Sequence, residues 1–197
     1  IVLDHHLANE TLPKCYAVVN PNRQDELGDL SHLCAAAVVF LCLVEMRRLL
    51  RLSAEKSPDL LDMLDLVALA TVADVAPLVG VNRAFVRQGL KILASRKRIG
   101  LAALSDQVKI DQELSAYHLG FLLGPRLNAG GRIGKSDLGA QLLISRDLEA
   151  AKAMAERLDQ LNFERRELEK QIKEAALEQA IHQKSTDSLA WAAGDSW

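Results

Sequence analysis

From Leu33 to about Ala175 the apolar residues recur at helical spacing, and only two short apolar runs, Ile1-Val2-Leu3 and Ala17-Val18-Val19-Asn20, read as strands. That pattern predicts an α/β chain with the edge of a mainly parallel sheet at the start, a helix-rich second half and a long helix leading out. Aromatic residues are 4% against 49% hydrophobic overall, so the core has to be built from Leu, Ala, Val and Ile. Leu33, Ala36, Ala37, Phe40, Leu41 and Val44 predict one helix, closed by the basic group Arg47, Arg48 and Arg51, which suits a helix C-terminus. Ser57-Pro58-Asp59 is a helix start signal. The next helix, through Leu60, Leu61, Leu64, Val67 and Ala68, becomes apolar on nearly all sides and is therefore expected to be central. Further helices are predicted from Asn82 to about Arg98, at Leu101 to Leu104, at Ser115 to Leu123 and near Leu138 to Ile144, with a Gly-rich break over Gly124 to Arg132.

The final helix, from about Leu148, carries Met154, Leu158, Leu161, Leu168, Ile172 and Ala175 close to a heptad seam, with dense charge elsewhere. A helix of that kind bridges two bodies or pairs with one neighbour. The organisation expected is a folded portion over residues 1–145, the long helix over 146–181, and a tail over 182–197 that loses periodicity and reads as disordered or foreign to the fold. The chain opens in a strand instead of Met, which predicts a missing upstream segment.

Charge narrows the function. With 24 basic and 26 acidic residues the net charge is -2, so a nucleic-acid ligand would need a local basic patch or a metal. The three cysteines, Cys15, Cys34 and Cys42, form no C-x-x-C and are odd in number, which argues against a disulfide framework or a zinc site; Cys34 and Cys42 are expected on a buried helix face. The longest unbroken apolar run, Leu33 to Val44, is shorter than the roughly 18–20 residues of a membrane span.

Three segments carry chemistry. Asp4-His5-His6 follows the first strand, where functional groups collect in α/β sheets. One carboxylate and two imidazoles suit Mn²⁺, Zn²⁺ or Fe, provided a turn redirects one ring, because neighbours on a strand point opposite ways; a surface turn with two solvated histidines is the plain alternative. Asp74 stands in the apolar stretch Thr71 to Leu78, where a buried carboxylate needs a partner or a metal; otherwise it is a helix-end Asp ahead of Pro77. The loop Gly124 to Arg132 packs glycines, Arg126, Asn128 and Arg132 into nine residues, a set suited to phosphate through bidentate guanidinium groups and backbone N–H; a plain helix connector is the alternative. The Gly-Lys-Ser/Thr ending of a P-loop is absent. His118 reads as a packed core histidine, His32 and His182 as surface residues, and Arg96-Lys97-Arg98 as a solvated helix end.

Taken in this order, Asp4-His5-His6, Val19-Asn20-Pro21-Asn22, Ala70 to Leu78, Gly124 to Arg132, and Leu158-Asp159-Gln160-Leu161-Asn162 with Glu164-Arg165 resemble the RecJ branch of the DHH phosphoesterases over roughly residues 1 to 180. The resemblance implies a two-metal site for Mn²⁺ or Mg²⁺, with His5 and Asp74 as ligands and Asp4 orienting the histidines. His6 would face the scissile phosphate as a contact or proton donor, and Arg126, Asn128, Gly130, Gly131 and Arg132 would grip phosphates. It implies a hydrolase: a single-stranded-DNA exonuclease that releases mononucleotides from the 5′ end in DNA repair and recombination. It also implies a single-strand-binding protein and a helicase as partners, while the unpaired cysteines point to a cytoplasmic protein and the short apolar run to no membrane association. The family's aspartate-rich upstream motifs and downstream substrate-binding domain are not in this chain, and Ala35-Ala36-Ala37 stands where the family has a glycine after Cys34. The metal site is therefore expected to be completed by residues outside the chain, and the chain alone to be inactive. Alternatives are a phosphodiesterase for short oligonucleotides or cyclic dinucleotides, a pyrophosphatase, a non-catalytic nucleic-acid-binding scaffold, and a purely structural helical domain.

Overall fold

In the computed structural model, which describes residues 1–51, 58–133, 135–183 and 189–194, the two expected strands pair as β1 (Val2–Leu3) and β2 (Val18–Val19). They run parallel, Val2 opposite Val18 and Leu3 opposite Val19. Helices make up the rest of the regular structure: α1 (Ala35–Leu49), α2 (Leu64–Ala73), α3 (Gly80–Ala94), α4 (Ile99–Gln107), α5 (Gly124–Ile133), α6 (Leu138–Ile144) and α7 (Leu148–Ile181). A 3-10 turn, Leu60–Met63, leads into α2, and a π-helical turn, His118–Leu123, leads into α5. Ser57 of the expected start signal lies outside the described residues. Asp59 of the same signal does cap the 3-10 turn, accepting from the Leu61 N–H at 3.0 Å.

The apolar-all-round helix is central, as its composition demands. Leu64 and Val67 of α2 join Leu33, Ala37, Phe40 and Phe85 in one cluster, while Ala68 and Leu69 join Leu101, Leu104, Leu119, Leu123, Leu142 and Leu158 in another. Both clusters are almost wholly aliphatic; Phe40 and Phe85 meet edge-on at 5.4 Å between ring centres. Of the cysteines, only Cys34 is fully buried, and it precedes α1 instead of lying on its face.

Of the three cations expected to be solvated, Arg96 and Lys97 are exposed and Arg98 is not. Arg98 reaches Asp65, which is only 3% exposed, through Nε to Oδ2 at 2.7 Å and Nη2 to Oδ1 at 3.1 Å. Arg96 pairs with Asp106 and Lys97 with Asp62. Removing one partner of a buried ion pair leaves the other charge uncompensated. Arg98→Met is accordingly expected to destabilise the protein by about 3 kcal/mol, read as a lower urea midpoint at unchanged slope; an unchanged midpoint would show that Asp65 is satisfied without it. His32 also departs from its surface reading: its Nε2 is buried with no hydrogen-bond partner among the described residues.

The long helix is real, 34 residues and so about 51 Å, and Asp147 caps its start by accepting from the Ala150 N–H at 2.7 Å. Its apolar seam is used only in the first half. Ala151, Ala155, Leu158 and Leu161 are buried, whereas Leu168 and Leu177 are exposed. Within the expected tail, Trp191 and Ala193 are tied back to α7: the Trp191 N–H donates to Gln183 Oε1, and Ala193 exchanges two hydrogen bonds with the Gln179 amide.

Candidate metal and phosphate site

Asp4-His5-His6 lies where β1 ends, and Asp4 makes the turn that the two rings require. Its Oδ1 accepts from the His5 N–H at 2.8 Å and the His6 N–H at 3.4 Å, and lies 2.8 Å from His6 Nδ1. These contacts, the His6 ring foremost, hold the Asp4 carboxyl below the usual carboxylate range. The alternation of the strand is thereby broken, and the two rings face one another at 4.4 Å between centres. One ligand atom from each of Asp4, His5 and His6 lies within 4.8 Å of the others.

Two asparagines hold this turn from behind. Asn20, 5% exposed, donates to the His6 carbonyl at 2.8 Å, and Asn22 Nδ2 donates to the His5 carbonyl at 2.7 Å and to the Ser31 carbonyl at 3.0 Å. The Asn22 N–H in turn donates to Asn20 Oδ1. The sequence marks Asn20-Pro21-Asn22 as the end of the second strand and as part of the family resemblance, with no role for its amides. The signal available was two side-chain amides directly after the strand paired with the one that ends in Asp4.

Asp74 reaches the same place from the opposite side. It is not buried in an apolar interior but sits half-exposed at the C-terminal cap of α2, the helix-end position ahead of Pro77 that the sequence leaves open as the alternative. The helix ends there in a Schellman turn: the Ala76 N–H bonds to the Thr71 carbonyl at 3.0 Å and the Val75 N–H to the Val72 carbonyl at 3.1 Å. Val75 takes the left-handed position at φ 57, a conformation that β-branched residues avoid and that costs on the order of 1–3 kcal/mol. The turn carries the chain away from the apolar interior one residue after Asp74. Asp74 Oδ2 comes within 3.4 Å of His5 Nδ1.

The phosphate segment is a helix and not a loop. Gly124 to Ile133 continues the π-helical turn, with Pro125 in its first turn, where the missing N–H costs nothing. None of Gly124, Gly130 or Gly131 has a positive φ, so no backbone nest forms. Gly124 and Gly130 instead allow close packing, the first against the Leu119 carbonyl and Ala73, the second against Leu158. Gly131 faces open space.

Helical geometry separates the polar residues of this segment. Asn128 lines a cavity of about 250 Å³ with His5, Asp74, Cys34 and four alanines, Ala35, Ala36, Ala70 and Ala73. It also lines an adjoining cavity of about 210 Å³ with Arg132 and Arg165. The two share Ala73 and Asn128, so one groove runs from His5 and Asp74 past Asn128 to the two guanidinium groups. Arg126 lies outside it. Its Nε bonds Asp159 Oδ1 on α7 at 2.7 Å and its Nη1 bonds the Leu122 carbonyl at 2.8 Å, which occupies the fork expected to grip phosphate. Arg165, placed there by α7, is a cation of the groove that the sequence reading left unassigned. His118 matches its expected packed role, its Nδ1 accepting from the Ser115 N–H at 3.0 Å. A larger apolar hollow of about 390 Å³ between β2 and α1 contains no imidazole.

No family model matches the chain. It is 41% identical over 185 residues to the single-stranded-DNA-specific exonuclease RecJ of Dickeya dadantii, covering 90% of this chain and 32% of that protein. A crystal structure of exonuclease RecJ bound to manganese superposes with a TM-score of 0.79 at 35% identity, covering 91% of this chain and 44% of that one. Over these residues the chain belongs to the RecJ family. RecJ of Thermus thermophilus in complex with Mn²⁺ superposes with a TM-score of 0.77 at 34% identity, over 90% of this chain and 26% of that one. The chain thus spans about a third of the length of the RecJ of Dickeya dadantii. The RecJ segment it carries has the α/β organisation expected of it, a small parallel sheet followed by helices. No helix among the described residues is long and apolar enough to cross a membrane.

Proposed function

We propose that the protein carrying this chain hydrolyses phosphodiester bonds of single-stranded DNA, releasing mononucleotides from the 5′ end with the help of Mn²⁺ or Mg²⁺. The observation that carries the reading is the joining of two features in one groove. His5, one of the three clustered residues Asp4, His5 and His6, lines a cavity with Asp74 and Asn128, and Asn128 also lines the adjoining cavity of Arg132 and Arg165. The names of the RecJ relatives support the substrate and those of the solved structures support the ion.

The donor set fits such an ion. Carboxylate suits Mn²⁺ and Mg²⁺, and imidazole is accepted by the softer of the two. The half-exposed Asp4 and Asp74 leave room for the waters that these ions retain. His5 and Asp74 would hold it; a second ion would need donors beyond these four residues. When bound, it supplies an activated water and neutralises charge on the phosphate.

The chain's own residues do the rest. Asp4 accepts from His6 Nδ1 and so fixes which ring nitrogen carries the free lone pair or proton, as carboxylates behind histidines do elsewhere. His6, 77% exposed at its side chain, is the ring free to meet a scissile phosphate and to give a proton to the leaving oxygen. Asn128 would donate its amide N–H to a phosphate oxygen, and Arg132 would neutralise the neighbouring phosphate. Arg126 is assigned a different part from the one its motif suggests: it holds α5 to α7 through Asp159. Gly130, packed against Leu158, and Gly131, facing open space, line neither cavity and are assigned no phosphate contact. A single-strand-binding protein and a helicase belong to the proposal as suppliers of exposed strands in repair and recombination, in the cytoplasm.

The test is the fate of 5′-labelled single-stranded DNA given to the full-length protein with Mn²⁺ and with a chelator. Labelled mononucleotide in the first case only is the expected result. Metal-dependent cleavage of cyclic dinucleotides or pyrophosphate, with long strands left intact, would replace this reading by the small-substrate one.

A further inference from the structure

Between Gly80 and Arg98 the chain has six cations and no Asp or Glu. The fold divides them sharply. Arg96, Lys97 and Arg98 are each matched to a carboxylate, on Asp106, Asp62 and Asp65. Arg83, Arg87 and Lys91 have no carboxylate partner among the described residues and are exposed. They stand four residues apart on the solvent face of α3, a separation of about 6 Å per step. A shallow hollow of about 490 Å³ runs along them, walled by Gly80, Ala84 and Gln88. Nothing in that wall is large and apolar, so the face lacks the anchors of a protein–protein hot spot. The opposite face, with Phe85, Val86, Gly89 and Leu93, is buried.

This stripe is joined to the metal-site turn by a short relay. Asn22 bridges the His5 and Ser31 carbonyls; the next residue, His32, accepts through its carbonyl from Asn82 Nδ2 at 2.7 Å, one residue before Arg83. The first turn of α3 is thus held to the same scaffold that positions His5.

We propose that the Arg83–Arg87–Lys91 face of α3 is a second contact for the phosphate backbone of single-stranded DNA, independent of metal and apart from the groove at Asn128. Regularly spaced, unmatched cations without apolar anchors fit a flexible polyanion whose charges repeat along its length. The choice of DNA as the polyanion rests on the functional reading above. Such a contact would retain a long strand while its end is processed, and would matter little for a substrate too short to reach it.

The experiment uses the full-length protein and fluorescein-labelled oligodeoxythymidylate, with binding followed by anisotropy in a chelator across a salt series. Wild type is compared with Arg83→Ala/Arg87→Ala/Lys91→Ala, whose exposed helical positions tolerate Ala. Removing three phosphate-binding cations should reduce the slope of log K against log salt in magnitude by about 2, and affinity at 0.1 M salt by about 100-fold. Metal-dependent cleavage of a dinucleotide should stay as in wild type, while digestion of a long strand becomes less processive. An unchanged salt slope overturns the proposal, as does a variant that keeps DNA affinity and loses only an acidic peptide ligand. If wild type cleaves no DNA but the slope still falls in the variant, the nuclease reading fails and the α3 contact stands.

Discussion

On the proposed function, replacing His5 and Asp74 together by Ala is expected to lower metal-dependent hydrolysis by the full-length protein by about 10³-fold or more, while the protein stays folded. The size follows from what a bound ion supplies: several kcal/mol of charge stabilisation, at about 1.36 kcal/mol per factor of ten. The fold is spared because the Asp74 side chain is 42% exposed and anchors no core contact, and because the turn at His5 is held by the Asp4 carboxylate and by its own carbonyl, not by its ring. Calorimetry should show Mn²⁺ binding lost with the activity, and circular dichroism an unchanged helix content. Chelator-insensitive binding of single-stranded DNA should survive, since Arg132, Arg165 and α3 are untouched. Full activity in the double variant would remove both residues from the metal site and leave the adjoining groove without its proposed chemistry.

The second large effect is purely one of space. Gly100 lies at the crossing of α4 and α6, where an added Cβ would come 1.9 Å from the Leu142 carbonyl oxygen and 3.3 Å from Leu142 Cγ. Ala is the better helix former by about 1 kcal/mol, so at an open position Gly→Ala stabilises. Here the obstacle is backbone and cannot rotate aside. Overpacking of this kind costs about 3 kcal/mol, and Gly100→Ala should lower Tm by about 10 °C at this chain length. Gly131→Ala is the control: nothing lies within 4 Å of its Cβ position, and Tm should rise slightly. A Gly100→Ala protein as stable as wild type would mean that α4 and α6 can separate without loss.

Much of the fold was legible because one rule, the 3.6-residue apolar period, governs most of the chain. The central position of α2, the limits of α6 and the start of α7 all follow from it. Where local composition spoke against helix, the sequence misled. Gly124 to Arg132 has the residues of a loop, yet it is helical, and Gly124 and Gly130 let Ala73 and Leu158 come within 3.1 Å of where a Cβ would stand. Tertiary packing outweighed propensity. The same conversion moved Arg126 to a different helix face from Asn128. No pattern in the sequence announces that its guanidinium would find Asp159, 33 residues away.

The site itself was half legible. Asp4-His5-His6 and Asp74 were read as candidate chemistry-bearing residues, and the structure clusters the first three and sets Asp74 beside His5. Asp74 was expected in an apolar interior because its neighbours in sequence are apolar. The Schellman turn, with Val75 in a conformation that no propensity rule assigns to valine, lifts it out. Arg165 was noted only as part of the long helix's resemblance and given no site role, because a charged face of a long helix gives no hint of which cation will meet a groove made by other elements.

The uneven burial of α7 gives one helix two thermal lifetimes. From Ala151 to Asn162 the helix packs one face into the core, so its amide hydrogens are expected to exchange with solvent far more slowly than those of the second half. Beyond Phe163 no side chain of the helix is buried, and what holds it among the described residues is its own hydrogen bonds, surface pairs such as Arg165 with Glu169, and the contacts with Trp191 and Ala193. A continuous rod in shape is thus a stiff stem joined to a fluctuating one, and the junction falls within three residues of Arg165, a cation of the groove beside Asn128.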